Sequence, residues 1–270
     1  MKRLLVATCV LAACSNSQRE PEAGSSDADP SALPAGPCGH AHNDYEHDRP
    51  LHDALDLGFC SVEADIHLTD GALLVAHDSD ETEPGRTLQS LYLEPLREIV
   101  NTDGVAHAGE GPLLLLIDVK TVPTDTWVAL DAVLAEYADI LTVFEDGEFT
   151  AGAVTAVVSG NRDRVAMEAQ STRFAAMDGR VIDLETNPPV DLIPLISDNA
   201  AGQLQWFDGE LTTEMQQTLD GIVEQSHEQG RGLRLWSIPD HLIGWTEMVE
   251  GGVDYVNTDD LDGFAAFLAP

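Results

Sequence analysis

Histidines gather in one part of this sequence, where their side chains could transfer protons. Six of the nine histidines lie between residues 40 and 77, and the stretch GHAHNDYEHDRP (39–50) contains three of them. An imidazole with a pKa near ~6.5 accepts a proton when neutral and donates one when charged. His40 and His77 each end an apolar segment. We therefore predict that they are a general base and a general acid on opposite sides of a substrate.

Three carboxylates also fall where apolar segments end. Glu63 and Asp65 lie two residues apart in VEAD, and alternate residues of a strand share one face. Two carboxylates this close raise a pKa or require a cation. With Asp118 from a separate segment, they predict a site for a hard divalent cation that takes oxygen ligands. The alternative is that some of these carboxylates cap helices or pair with arginine.

Lys120 is one of only two lysines, and it shares a strand face with Asp118. With 13 Lys+Arg against 48 Asp+Glu, the net charge of −35 repels anions at long range, so an anionic substrate needs local positive charge. We predict that Lys120 supplies it, with a purely structural Asp118–Lys120 pair as the alternative. His42 and Asn43 are expected to donate hydrogen bonds to the substrate. Trp236 either lines the mouth of the site or packs in the core.

The charge balance also limits the partners of the protein. So strong a negative charge argues against nucleic acid and against an anionic membrane surface. The chain begins MKRLLVATCVLAAC, a positive start followed by a short apolar run, which is typical of a signal peptide. Because LAAC resembles the bacterial lipoprotein signal, we predict a signal peptide over residues 1–14 with a lipidated Cys14. A plain secretory signal is the alternative.

This N-terminal pattern predicts an exported lipoprotein of the bacterial cell envelope, which contacts the membrane only through its lipid anchor. Residues 15–35 are rich in Ser, Pro, Gly and acidic residues, and are predicted to be a flexible linker. The folded domain is expected at residues 36–270 and is expected to be monomeric. Cys38 and Cys60 are predicted either to form a disulfide or to be two buried thiols.

Short apolar segments alternate with helix-like segments along the predicted domain. The clearest helix is predicted for residues 212–229, and Gly230 ends it. Continuous apolar strands between helices favour an α/β fold with a parallel sheet covered by helices. About eight strands in about 235 residues predict a single (β/α)8 TIM barrel, with a doubly wound open sheet as the alternative. The predicted strands are residues 60–65, 72–78, 112–120, 153–160, 180–184, 192–197, 233–238 and 253–258.

Several motifs follow one another in a recognisable order. They are the strand-end histidine, ALDLGFCSVEADIHLTDGALLVAHD, LLLLIDVK, LRLWSIPD and GVDYVNTDDLDGF. From about residue 36 to the end, this order resembles the glycerophosphodiester phosphodiesterase and phosphatidylinositol-specific phospholipase C-like superfamily of TIM-barrel phosphodiesterases. The closest likeness is to the branch that begins H-x-H-N-D-Y.

The resemblance implies a metal-dependent phosphoric diester hydrolase that acts on a glycerophosphodiester or a phospholipid-type substrate. It makes His40 and His77 the acid/base pair, and it makes Lys120 a phosphate contact. It assigns Ca2+ or Mg2+ to three ligands, Glu63, Asp65 and Asp118. The chain departs from the common pattern, because His40, Ala41 and His42 replace His-Arg-Gly, the Pro-Glu-Asn segment is absent, and Asp118 replaces a glutamate.

Two other functions fit parts of the sequence. The H-x-H of His40 and His42 also resembles the start of zinc-dependent amidohydrolase-type barrels, in which Asp259 would be a late carboxylate ligand. Such sites need further histidines on later strands. A noncatalytic surface lipoprotein that binds a ligand in its barrel is the second alternative.

Overall fold

The computed structural model describes Pro34 and residues 36–269 of the chain. Eight strands of this part form a closed parallel barrel, which confirms the predicted (β/α)8 TIM-barrel fold. The strands in chain order are β1 (Cys38–Ala41), β2 (Ser61–Thr69), β3 (Ala72–Val75), β4 (Leu113–Val119), β5 (Val143–Glu145), β6 (Glu148–Thr150), β7 (Val154–Gly160), β8 (Thr172–Arg173), β9 (Ala176–Gly179), β10 (Leu195–Asn199), β11 (Gly232–Trp236) and β12 (Tyr255–Thr258).

The barrel runs β1-β2-β4-β7-β9-β10-β11-β12, and β12 pairs with β1 to close it. All pairs around this ring are parallel, so every carboxyl end lies at the same mouth. Strand β3 lies outside the ring and pairs antiparallel with β2. A small antiparallel sheet, β6-β5-β8, is separate from the barrel.

Helices follow most of the barrel strands and cover the outside. They are α1 (His52–Asp56), α2 (Glu94–Asp103), α3 (Pro123–Ala135), α4 (Arg164–Ala169), α5 (Ala200–Leu204), α6 (Thr213–Glu228), α7 (Leu242–Glu250) and α8 (Leu261–Leu268). Shorter turns are 3-10 helices at Asp44–Glu46 and Val181–Glu185, and a π-helix at Gln89–Leu93. The Thr212 side chain accepts a hydrogen bond from the Met215 N–H and caps α6, close to where the sequence predicted this helix.

The barrel interior is divided into an apolar and a polar layer. Leu114, Leu116, Val157 and Leu195 form one buried cluster inside the ring. Alternate residues point inward, so the next inward positions of the same strands are polar and lie nearer the carboxyl ends. The larger core lies between the strands and the helices. The polar layer is therefore supported from below by a packed apolar floor.

Two predicted strands differ from the structure. Residues 72–78 were predicted as a strand of the parallel sheet, but β3 is the second arm of a hairpin with β2, because the turn at Asp70 and Gly71 reverses the chain. Residues 180–184 were predicted as a strand, but they form a 3-10 helix, and the barrel strand is β9, four residues earlier. Strand β9 (AMDG) has little apolar pattern, whereas the residues after it are richer in Val, Ile and Leu and therefore gave the stronger strand prediction.

A disulfide links Cys38 to Cys60, at the amino ends of β1 and β2. This answers the question that the sequence left open. In the described residues, no helix combines the length and the apolar character needed to cross a bilayer.

Candidate functional site

A cavity of about 420 Å³ opens at the carboxyl ends of the barrel strands. This volume falls in the range of small-molecule sites, and this end of a TIM barrel is where such sites are built. Most of the predicted site residues line it. The lining residues are His42, Asn43, Glu63, His77, Asp118, Lys120, Ser159, Arg180, Arg234, Trp236 and Ser237.

The three predicted metal ligands meet at this cavity. Each of Glu63, Asp65 and Asp118 offers a carboxylate oxygen, and these oxygens lie within 4.8 Å of one another. Strands β2 and β4 pair in parallel with Asp65 opposite Asp118, which brings the two carboxylates to one level of the barrel. Glu63 is two residues earlier on the same face of β2. The neighbouring strands thus bring together three oxygen donors, as the sequence predicted.

Asp65 holds several side chains with only one of its oxygens. Its Oδ2 accepts hydrogen bonds from the Tyr45 hydroxyl at 2.9 Å and from Lys120 Nζ at 2.8 Å, and it lies 3.2 Å from His77 Nδ1. Its Oδ1 is buried and has no hydrogen-bond partner among the described residues. A buried carboxylate oxygen without a partner is costly, and a cation bound to it would remove that cost.

The pKa values of the three carboxyl groups differ because their neighbours differ. Burial raises the pKa of Asp118 to about 6, although Lys120 acts against this shift. Burial and the charge of Glu63 raise the pKa of Asp65. Burial would also raise the pKa of Glu63, but the Arg234 guanidinium and the His40 hydrogen bond hold it well below its usual range. The oxygen-only donor set, the crowded charge and the free Asp65 oxygen all fit a hard divalent cation.

Lys120 bridges two of these carboxylates. Its Nζ lies 2.8 Å from Asp65 Oδ2 and 3.3 Å from Asp118 Oδ1, and its side chain lines the cavity. Burial acts to lower the pKa of Lys120, but the two carboxylates outweigh it and raise that pKa. Lys120 is therefore a charged group at the cavity wall, and it also has the structural pairing that was the alternative.

His42 and His77 both line the cavity, and a carboxylate orients each of them. His42 Nδ1 lies 2.7 Å from Asp259 Oδ1, and His77 Nδ1 lies 3.2 Å from Asp65 Oδ2. Each ring therefore keeps its Nε2 for another partner. Burial lowers the pKa of His42, but the Asp259 hydrogen bond and the charge of Glu63 outweigh it and raise that pKa.

His40 does not lie where the sequence predicted. It is fully buried below the cavity, with Nδ1 at 2.7 Å from Ser61 Oγ and Nε2 at 3.0 Å from Glu63 Oε2. Burial and the charge of Arg234 lower the pKa of His40 to about 3, so the ring is neutral at ordinary pH. The structure therefore does not bring His40 to the cavity with the other predicted site residues, since both of its nitrogens are engaged inside the barrel. His42, expected only to bind, faces the cavity.

The loop after β1 is fixed by the rest of the His-Asn-Asp-Tyr motif. Asn43 has φ of 47°, a left-handed conformation that asparagine tolerates better than most residues. The Asp44 carboxylate is buried, and it accepts hydrogen bonds from the Tyr92 hydroxyl at 2.9 Å and from the Leu51 N–H. Asp44 therefore holds the loop that carries His42 and Asn43 to the cavity.

Arginines form the opposite side of the cavity. Arg234 is buried, and its Nη2 donates to Glu63 Oε2 at 2.7 Å across the barrel. Arg180 donates through Nη1 to Asp178 Oδ2 at 2.6 Å, and that same oxygen accepts from Ser159 Oγ at 2.7 Å. We call Ser159, Asp178, Arg180, Arg234 and Trp236 the arginine wall. We call His42, Glu63, Asp65, His77, Asp118 and Lys120 the acidic wall.

The sequence predictions missed Arg180 and Arg234. The signal for Arg234 was available, because Arg234 and Trp236 are two residues apart and share the inward face of β11. Trp236 lines the cavity, as one of its two predicted roles required. The signal for Arg180 was hidden by the strand wrongly predicted at residues 180–184. Ser237, whose φ is 60°, also lines the cavity.

A sequence model of the AIM6-like phosphodiesterase domain matches residues 31–178, which is more than half of the chain. The chain is 28% identical over 265 residues to the Altered inheritance of mitochondria protein 6 homolog of Arthroderma benhamiae, an alignment that covers 85% of this chain and 83% of that protein. It is 27% identical over 270 residues to Altered inheritance of mitochondria protein 6 of Eremothecium gossypii, covering 84% of this chain and 68% of that protein.

Among solved structures, the fold is similar to a glycerophosphodiester phosphodiesterase from Agrobacterium tumefaciens. The TM-score is 0.52 at 18% sequence identity, and the match covers 86% of this chain and 98% of that one. At this identity the likeness concerns the fold. The domain match and this likeness of fold agree with the predicted resemblance to TIM-barrel phosphodiesterases.

The predicted location is wrong. The relatives are fungal proteins, from Arthroderma benhamiae, Eremothecium gossypii and Zygosaccharomyces rouxii, and not bacterial envelope lipoproteins. The prediction depended on a short apolar run and a single cysteine, which is a pattern of low specificity. The predicted signal peptide with Cys14 lies outside the described residues, and so does the linker at 15–35 apart from Pro34.

Proposed function

Because the chain belongs to the AIM6-like phosphodiesterase domain family, we propose that it hydrolyses a phosphodiester with the help of Ca2+ or Mg2+. The substrate class is a glycerophosphodiester or a phospholipid-type molecule. The observation that carries this proposal is the meeting of Glu63, Asp65 and Asp118 within 4.8 Å at a cavity that also holds two histidines and Lys120.

Glu63, Asp65 and Asp118 would hold the cation. A divalent cation bound there offsets the negative charge that develops on the phosphate during the reaction. Lys120 provides a second positive charge at the same wall and contacts a phosphate oxygen. Asn43 lines the cavity beside these groups and donates a hydrogen bond through its amide.

His42 and His77 exchange the protons. Asp259 raises the pKa of His42, which favours its protonated form and therefore the role of acid toward the leaving alcohol. His77 is the base, which takes the proton of the hydroxyl as that hydroxyl attacks the phosphate. The Asp65 carboxylate beside its Nδ1 favours the tautomer with the proton on Nδ1, which leaves Nε2 as the acceptor.

A panel of phosphodiesters tests the proposal. Purified protein is incubated with glycerophosphodiesters, phosphatidylinositol, lysophospholipids and sphingomyelin, with EDTA and after Ca2+ or Mg2+ is restored. We expect cleavage of at least one substrate that stops in EDTA and returns with either cation. Cleavage that is unchanged in EDTA contradicts the metal, and no cleavage in any arm favours the ligand-binding alternative.

The zinc alternative lacks support in the described part of the chain. The group of possible metal ligands found there consists of three carboxylates and contains no histidine. Zinc in catalytic barrels is usually held by histidines. His42 already contacts Asp259 through Nδ1.

A further inference from the structure

The guanidinium of Arg180 is held by only one of its nitrogens. Nη1 donates to Asp178 Oδ2 at 2.6 Å, to the Ser197 carbonyl at 2.9 Å and to the Gly179 carbonyl at 3.1 Å. Within the described residues, no acceptor contacts its Nε or Nη2. Those two nitrogens form the edge through which arginine binds a carboxylate or a phosphate with two parallel hydrogen bonds.

The charge around this guanidinium favours an anion. Asp178 is fully buried and faces two guanidinium groups, with Arg180 Nη1 at 2.6 Å and Arg162 Nε at 3.3 Å. The next acid, Asp183, is paired with Arg164 at 2.6 Å. One carboxylate thus faces two buried or half-buried cations, which leaves one positive charge in excess beside the cavity and favours an anion there.

Arg180 lies apart from the acidic wall. Strand β7 separates β4 from β9, and Lys120 directly follows β4 while Arg180 directly follows β9. At a strand spacing of ~4.8 Å, the two strands are roughly 10 Å apart along the ring. The Ser197 carbonyl on β10 holds the guanidinium on the side away from β4. Lys120 and Arg180 thus enter the same cavity from strands that are not neighbours, so Arg180 is placed to contact a part of the substrate other than a phosphate held at Lys120.

We propose that Arg180 binds a second acidic group of the substrate. The preferred phosphodiesters then carry a carboxylate or an additional phosphate besides the diester itself, and Arg180 selects them through its Nε and Nη2. This inference rests on the proposed phosphodiesterase function.

Two matched pairs of substrates test it. Glycerophosphoserine and glycerophosphoethanolamine differ by one carboxylate, and glycerophosphoinositol 4-phosphate and glycerophosphoinositol differ by one phosphate. We expect the wild type to have a kcat/KM about 10- to 100-fold higher for the acidic member of at least one pair, the factor typical of a charged hydrogen bond. The pair that shows the preference identifies the acidic group.

Two variants assign the preference to Arg180. Arg180→Gln is expected to bring the ratio within each pair close to one, and Arg180→Lys to leave it intermediate because the charge remains without the two-donor edge. Arg49→Gln is the matched control, since Arg49 is exposed, pairs with Asp53 and Asp56 and does not line this cavity. It should keep the wild-type ratio.

A binding measurement separates this inference from the proposed function. The same pairs are titrated by calorimetry into His77→Ala protein with Mg2+ or Ca2+, with and without Arg180→Gln. Preferential binding of the acidic member that Arg180→Gln abolishes supports Arg180 even if the wild type cleaves nothing, in which case only the proposed function fails. The inference is overturned if neither pair shows a preference in binding or turnover, or if Arg180→Gln leaves the preference unchanged.

Discussion

The two walls of the cavity handle charge in opposite ways. In the acidic wall, three carboxylates crowd together. Lys120 pairs with two of them, Asp65 and Asp118, and burial raises the pKa values of those two. In the arginine wall, guanidinium groups surround single carboxylates, as Arg162 and Arg180 surround Asp178. The acidic wall has excess negative charge, and the arginine wall has guanidinium N–H donors that no acceptor in the region the structure describes uses.

This difference shows how one small cavity in a very acidic protein can hold an anionic substrate. The acidic wall suits a cation, which in turn attracts a phosphate. The arginine wall attracts an anion directly. Glu63 connects the walls, because its Oε2 accepts from Arg234 at 2.7 Å while its carboxylate also belongs to the acidic group.

The strongest test of the acidic wall is Asp65→Asn. We expect kcat/KM for a cleaved phosphodiester to fall about 10³- to 10⁴-fold, because a cation ligand and the partner of Lys120, Tyr45 and His77 are weakened together. Elemental analysis should show that bound divalent cation is lost. Asp56→Asn is the control, since Asp56 is exposed and pairs with Arg49. If the Asp65→Asn protein kept both its bound metal and its activity, the acidic wall would not be the site of the cation.

In the arginine wall, Asp178→Ala is expected to reduce stability. Removing a buried carboxylate leaves Arg162 and Arg180 without their partner, which typically costs about 3 to 5 kcal/mol. Urea denaturation measures the free energy of unfolding. Asp139→Ala, which breaks an exposed pair with Arg97, should change it by less than about 1 kcal/mol. If the two substitutions lowered the free energy of unfolding equally, Asp178 would not be stabilising the positive charges of Arg162 and Arg180.

His42→Gln and His40→Gln separate two histidines that share one strand face. His42→Gln should lower kcat about 10²-fold or more, with little change in melting temperature. His40→Gln should mainly lower the free energy of unfolding, by about 1 to 3 kcal/mol, because buried contacts to Ser61 and Glu63 are disturbed. Rate and stability are measured for both. If the His42→Gln protein were fully active, His42 would not transfer the proton, and His40 would be the better candidate.

Asp254 lies at the other end of the barrel from the cavity, so a substitution there should have the smallest effect. It serves as a reference for both walls. Burial raises the pKa of Asp254, which lies 2.9 Å from His227 Nε2, although that contact acts against the shift. The folded protein therefore binds this proton more tightly than the unfolded chain does. The stabilisation it gives is full below the ordinary aspartate pKa and is lost as the pH rises through the folded value.

Urea denaturation between about pH 4 and pH 7 checks this sign. The stability of the wild type relative to Asp254→Asn should fall as the pH rises, while kcat/KM is unaffected. Asp208→Asn should show almost no slope in this range, because the Gly209 N–H lowers the pKa of Asp208 and moves its titration below the ordinary aspartate range. A rising slope for Asp254 would contradict the effect of burial.

The sequence predicted the acidic wall better than the arginine wall for a physical reason. Strands β2 and β4 are long, with nine and seven residues, so alternation places Glu63, Asp65, Asp118 and Lys120 on one face. Strand β9 (AMDG) has only four residues, and the 3-10 helix after it (VIDLE) is richer in the apolar residues that predict a strand. Arg180 could be placed at the cavity only if the end of β9 at Gly179 was known.

Alternation also left one choice open. His40 and His42 share a face, and which of them reaches the cavity depends on where β1 ends. The strand ends at Ala41, so His40 is inside the barrel and His42 is just beyond its rim. Contacts made across the ring, such as Arg234 to Glu63, join residues 171 positions apart and leave no local pattern in the sequence.

The net charge of −35 acts on reactants before they reach the cavity and after they leave it. A phosphodiester approaches against this field, and salt screens it over a Debye length of about 8 Å at physiological ionic strength. Hydrolysis of a diester yields a phosphomonoester with a second ionisable oxygen, whose pKa is near ~6. Such a product is repelled more strongly than the substrate was. In the proposed reaction, the acidic surface therefore slows capture but hastens product release, and product inhibition should strengthen when salt is added.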